Sequence, residues 1–140
     1  SFSGVPTPDF RVYPLTTQLA EKLHAYTRPR DQTNTRVKDL PDIVLIGTLS
    51  DGLRRSELVE ALRRTFDHRR THRVPRRLES PPETWRWPYE KLVSLSALPW
   101  ASLDEAFRLA SRFVQPALDA DGDPRWDAAR WTWKDTLSNG

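Results

Sequence analysis

Lys22 falls three residues after Leu19, seven after Leu15 and four before Tyr26, on or beside the apolar stripe of its own segment. A lysine so placed must snorkel outward, pair with an acid or line a pocket. Acids follow in Arg36-Val37-Lys38-Asp39-Leu40-Pro41-Asp42-Ile43. Asp39 and Asp42 stand three apart, adjacent on one helical face and next to Ile43 and Ile46, and Lys38 is spaced to pair with Asp42 at i, i+4. If the two segments form a helical hairpin, Lys22 approaches Asp39 or Asp42 across it. A lysine with one or two carboxylates against apolar walls suits phosphate chemistry. The amine neutralises a phosphate as a point charge, and a carboxylate holds a divalent metal or accepts a hydroxyl proton. The same spacing also serves an interhelical salt-bridge network.

A second constellation is electrostatic. Nine arginines lie between Arg54 and Arg77 against only Glu57, Glu60 and Asp67, although the whole chain carries a formal net charge of just +3. Arg63, Arg64, Arg69, Arg70 and Arg73 form its centre, and this is the footprint expected for a nucleic acid or another phosphate-bearing partner. Its plainer counterpart is a solvated helix face. Three other patterns carry less. Asp119-x-Asp121-Gly122-Asp123 has Pro124 where a calcium loop needs glycine and Arg130 where the closing glutamate belongs, so it reads as an acidic turn. His68 and His72 are four apart, but Arg69, Arg70 and Arg73 would repel a cation and no third ligand is evident. The Trp-rich tail could stack on bases, yet tryptophan in a small helical domain usually belongs to the core.

The elements that must position these groups read as mainly helical. The chain of 140 residues is long enough for one domain with a real core. With 37% hydrophobic and 29% charged residues it is not a membrane protein, and no apolar run approaches the roughly 20 residues a span needs. The absence of cysteine excludes disulfides and thiolate sites and, with no leader pattern, fits a reducing compartment such as the cytoplasm. There is also no methionine, a hint that the chain is a piece of something longer.

Residues 1–14 read as an irregular lead-in that could hold one short strand, Phe10–Tyr13, and 15–140 as a helical domain of about five helices. The first helix runs from Thr16 to about Arg28, capped by Thr16 or Thr17. The second covers Arg36 to Thr48; it starts near Asp39 with Pro41 in its first turn, or it is bent. The third spans about Arg54 to His68 with Leu58, Val59, Leu62 and Phe66 inward. The fourth begins near Pro82 or Glu83 and carries Trp85, Tyr89 and Leu92. The fifth opens on the capping box Ser102-Leu103-Asp104-Glu105, carries Leu103, Phe107, Ala110 and Val114, and closes at Pro116. Trp126, Trp131 and Trp133 pack back onto the helices.

Tyr13-Pro14-Leu15, Ala20-Glu21-Lys22-Leu23-His24-Ala25 and Arg36-Val37-Lys38-Asp39-Leu40-x-Asp42 resemble the AbiEii/AbiGii nucleotidyltransferase toxins of abortive-infection toxin–antitoxin systems. Thr65-Phe66-x-x-Arg69-x-Thr71-His72-x-x-Pro75 and Pro81-Pro82-x-x-Trp85 with Tyr89 look like that family's C-terminal helical region. The resemblance implies a polymerase-β-like enzyme using a nucleoside triphosphate and magnesium, some of whose relatives modify tRNA ends. It implies Lys22 as the nucleotide-contacting lysine, Asp39 as the essential acid, and Arg36, Lys38 and Asp42 in support. The arginine strip would then face tRNA or another nucleic acid, and an antitoxin protein would be a partner. Such enzymes carry a glycine-serine turn and an aspartate pair upstream; here none precedes Lys22, and Gly47-Thr48 follows it. The expectation is therefore a C-terminal half whose metal-binding half lies elsewhere, with no metal ligands of its own. The alternative is a stand-alone helical module that binds nucleic acid or antitoxin without catalysis.

Overall fold

Prolines mark where several of the helices begin. In the computed structural model, which describes residues 14–28, 36–119 and 121–135, helix α1 (Leu15–Thr27) starts directly after Pro14. Pro14 holds the extended conformation of a cap, and its carbonyl accepts the Gln18 N–H at 3.1 Å. Thr16 and Thr17 therefore lie inside the first turn, where neither can cap; the strand expected over Phe10–Tyr13 falls outside the described residues. Helix α2 (Asp39–Leu49) has Pro41 in its first turn, where the missing N–H would have had no helical partner anyway. Of the two alternatives for this segment, the start at Asp39 is the one observed. Asp39 and Asp42 sit in that same turn, where the helix dipole favours negative charge.

Helix α3 (Arg55–Arg69) opens with Glu57 accepting the Arg54 N–H at 2.9 Å and closes on Arg70, which takes the left-handed conformation at φ 56. A single 3-10 turn, Glu83–Trp85, leads into α4 (Arg86–Ser96), with Pro88 again in the first turn. Tyr89 fixes the far end of α4: its hydroxyl donates to the Trp100 carbonyl at 2.6 Å, and burial pushes its pKa up to about 12. Helix α5 (Leu103–Asp119) is capped by Ser102 Oγ, which accepts the Glu105 N–H at 3.1 Å. Pro116 does not close it. The helix continues to Asp119 because one lost backbone bond is outweighed by what the last turn gains. Val114 and Ala117 are buried, the Pro116 carbonyl accepts Arg55 Nε at 2.7 Å, and Gln115 Nε2 donates to Asp119 at 3.0 Å.

Helix α1 packs on both α2 and α3, and α5 covers α2 and α3 in turn. Leu19, Leu23, Leu40, Ile43, Leu58, Leu62, Phe113 and Val114 fill the space between them, each contributing roughly 1.5–3 kcal/mol by burial. Trp85 and Tyr89 are also fully buried, as their helical spacing implies.

The tail folds back as expected, but as a hairpin that the pattern did not show. Strands β1 (Arg125–Asp127) and β2 (Thr132–Lys134) pair antiparallel, with Trp126 opposite Trp133. Three indole N–H groups each donate to a helix carbonyl at 2.9 Å: Trp126 to Gly47, Trp131 to Leu109 and Trp133 to Phe113. The hairpin thereby clamps α2 to α5. Among the described residues, no helix is long and apolar enough to cross a membrane.

Candidate functional site

The α1–α2 contact builds the expected cluster. Lys22 Nζ lies 2.8 Å from Asp42 Oδ2 and 4.0 Å from Asp39 Oδ1, and Arg36 Nη1 reaches Asp39 Oδ2 at 3.7 Å. Burial is uneven: the Asp39 side chain is 4% exposed, while those of Lys22 and Arg36 are 39% and 42% exposed. A sunken carboxylate thus holds two cations whose outer sides face water. Such cations can receive an anion without first being dug out of the core.

Lys38 stands apart from the pattern. Its carbonyl accepts the Asp42 N–H at 3.1 Å, but among the described residues its amine forms no ion pair with Asp42. Asp42 turns instead across the helix junction to Lys22, so the i, i+4 pairing is corrected to an interhelical one. Lys38 and Asp42 both line a cleft of about 360 Å³ between α2 and the α4–α5 connection, walled by Pro41, Leu45, Leu92 and Trp100. The donor set does not fit a magnesium ion held by this cluster, because its two carboxylates are occupied by lysine and arginine. Among the described residues, no three His, Asp or Glu side chains gather to hold a metal.

The structure also sorts the arginine strip. Arg63 pairs with Glu60 at 2.6 Å and Asp67 at 3.5 Å, Arg64 with Glu60 at 3.1 Å, and Arg69 with Glu21 at 2.8 Å. Glu60 is held below the usual carboxylate range by its hydrogen bonds to Arg63 and Arg64. Arg70 and Arg73 make no ion pair with any described residue, and together with Arg63 they border a second cleft. Arg64 lies on a different one. The strip thus lies on α3 and the loop that follows it, with Arg63 and Arg64 joined through the same Glu60 oxygen.

Sequence reasoning passed over His24, two residues beyond Lys22. It is 5% exposed, and its ring centroid lies 4.6 Å from that of His72 and 4.9 Å from that of Phe66. His72 Nε2 is 2.8 Å from Thr27 Oγ1, whose own proton goes to the Leu23 carbonyl at 2.8 Å, so His72 is the donor of that pair. His68 sits in the last turn of α3 and His72 lies beyond its end, so their spacing of four does not place them on one helical face. The signal for His24 was its place four residues after buried Ala20, on the apolar side of α1.

Burial lowers the pKa of both rings; His72 and Arg69 lower His24 further, Glu21 opposes them more weakly, and Arg28 adds a small lowering to His24 and lowers His72. Neutral rings belong to the folded state, while the unfolded chain takes up protons as the pH falls through 6.5. The unfolded state then binds more protons, so stability is full above that value and declines below it. Denaturation midpoints at pH 7.5 and 5.5 are expected to differ, and His24→Phe should reduce the difference. Equal wild-type midpoints at the two values would refute the linkage.

Fold and cluster together define the class: a helical domain presenting a lysine, held by two carboxylates, at a helix junction open to solvent. Over residues 2–133 the sequence matches the model of a family described as nucleotidyl transferase AbiEii toxin, Type IV TA system, and the chain belongs to that family. The resemblance carried by the Lys22 and Asp39 segments therefore holds. Membership in a toxin–antitoxin family brings with it an antitoxin partner. Comparison with curated proteins and with solved structures gave no match.

Proposed function

We propose that this chain supplies Lys22, Asp39 and Asp42 to a nucleotidyltransfer site, with Arg36 and Lys38 flanking the incoming nucleotide. The observation that supports it most is the buried Asp39 carboxylate, which holds Lys22 and Arg36 on one side while their outer sides remain open. Lys22 exchanges its Asp42 contact for a phosphate oxygen of a nucleoside triphosphate, and Asp39 keeps the amine aimed. Arg36 and Lys38 add positive charge where the triphosphate concentrates negative charge. Magnesium, when bound, would offset the remaining phosphate charge. The acceptor would be tRNA or another nucleic acid lying against the arginine-rich flank, and the setting is the cytoplasm.

Lys22→Ala in the complete enzyme is expected to abolish nucleotide transfer and cellular toxicity while leaving the circular-dichroism melting curve in place. Full activity in that variant would refute this reading. A second reading is a binding module without catalysis, favoured by the lack of a metal-holding group among the described residues. Under it, the chain alone binds tRNA with steep salt dependence, and Lys22→Ala changes nothing in the cell.

A further inference from the structure

The cleft between α3 and the segment that follows it has a composition that the Lys22 cluster does not explain. Its volume is about 820 Å³, within the range of sites that hold small molecules. Val59, Leu62, Phe66 and Val74 make an apolar floor, and Arg63, Arg70 and Arg73 stand around it with Asp67 as the single acid of the lining. Arg63 is already shared between Glu60 and Asp67. Arg70 and Arg73 are the two guanidinium groups of the cleft with no carboxylate partner among the described residues. Both are exposed, so an anion can reach them without displacing a carboxylate partner.

Arg70 adds a second observation. It ends α3 at φ 56, a left-handed conformation that glycine adopts without strain and other residues only with it. Glycine would close the helix more easily but would bring no charge to the cleft.

We infer that this cleft binds a nucleoside phosphate, its ring over Val59, Phe66 and Val74 and its phosphate between Arg70 and Arg73. Arginine suits both halves of such a ligand, because its flat guanidinium stacks on rings and forks onto phosphate oxygens. Inorganic phosphate alone would leave the apolar floor wet. The cleft shares no residue with the Lys22 cluster, so either site can fail without the other. The same chemistry arises from a free nucleotide or from one nucleotide of a single strand.

Calorimetric titration of the 140-residue chain separates these sources. The probes are adenosine and cytidine monophosphates, a single-stranded RNA tetramer, and inorganic phosphate. The double variant Arg70→Gly, Arg73→Gln is expected to weaken nucleotide binding at least tenfold. Its denaturation midpoint should stay level or rise, since glycine relieves the strained helix end. Arg108→Gln, which removes one charge from exposed α5 surface, should change binding less than twofold, and Val59→Trp should block it by filling the floor. A tetramer that binds at least tenfold more tightly than the monophosphates marks the strand as the source; equal affinities mark the free nucleotide. Inorganic phosphate binding as tightly as the nucleotides overturns the proposal. So does unchanged affinity in the double variant, or loss of binding in Lys22→Ala.

Discussion

Trp126→Ala is expected to lower the unfolding free energy by about 3–5 kcal/mol, the range for truncating a large aromatic side chain in a core. Trp126 is 1% exposed, and its ring centroid lies 4.6 Å from Phe113, 4.9 Å from Trp131 and 5.3 Å from Trp133. Its backbone continues the joint: its N–H donates to Leu53 and its carbonyl accepts from Gly52, both at 2.8 Å. Removing the indole leaves a cavity on α5 and takes the Gly47 carbonyl's partner away, while the backbone bonds to Gly52 and Leu53 still hold the hairpin to the α2–α3 turn. The α2 surface underneath has no room to compensate. A methyl group added at Gly47 would lie 2.5 Å from the Trp131 ring and 3.1 Å from Phe113. Urea unfolding measures the effect. Trp126→Phe should cost less, because it keeps most of the packing and loses the hydrogen bond. A loss below 1 kcal/mol in Trp126→Ala would mean that the hairpin is an ornament on the helices rather than their clamp.

That clamp was hard to see in the sequence, for a physical reason. Its strands are three residues each, too short to show alternation, and the residues between Trp126 and Trp133 include Ala128 and Ala129. What makes them strands is the docking of three indoles on α2 and α5, a tertiary effect invisible to local pattern. The helices were legible because their apolar stripes recur over several turns, and α5, with Leu103, Ala110 and Val114 all inward, is the clearest. Pro116 misled because a proline rule speaks of one lost bond and knows nothing of Arg55 arriving from α3 to use the freed last turn. The meeting of Lys22 with Asp39 and Asp42 was readable because both segments were recognisably helical and follow one another in the chain. Which of the two lysines Asp42 takes was not readable. Local spacing favoured Lys38, and only the packing of α1 against α2 decides for Lys22. His72 was beyond local reasoning altogether, since its partners His24 and Thr27 come from a helix more than forty residues earlier.

Under the proposed function, Asp39→Asn is expected to reduce nucleotide transfer at least hundredfold, on the scale of losing one preorganised electrostatic group. Stability should fall by only about 1–2 kcal/mol. The gap between these two effects follows from exposure. A buried carboxylate that lost both of its cations into the core would leave a large penalty, but Lys22 and Arg36 are each about two-fifths exposed and water takes over part of the charge. The amide keeps the shape of the side chain and removes its charge. Lys22 then has a single carboxylate within reach, Asp42 at 2.8 Å, and that contact tightens against any phosphate competing for the amine. Asp42→Asn has the opposite geometry: the sunken Asp39 still anchors Lys22, and its outer side is freed. The smaller activity loss should therefore fall on Asp42→Asn, although Asp42 makes the shorter contact. Transfer rates and triphosphate affinities of the two variants, measured alongside urea midpoints, test this order. An Asp39→Asn enzyme within twofold of wild type, or an Asp42→Asn enzyme more impaired than it, would show that the buried carboxylate is a structural tie and not the group that aims Lys22.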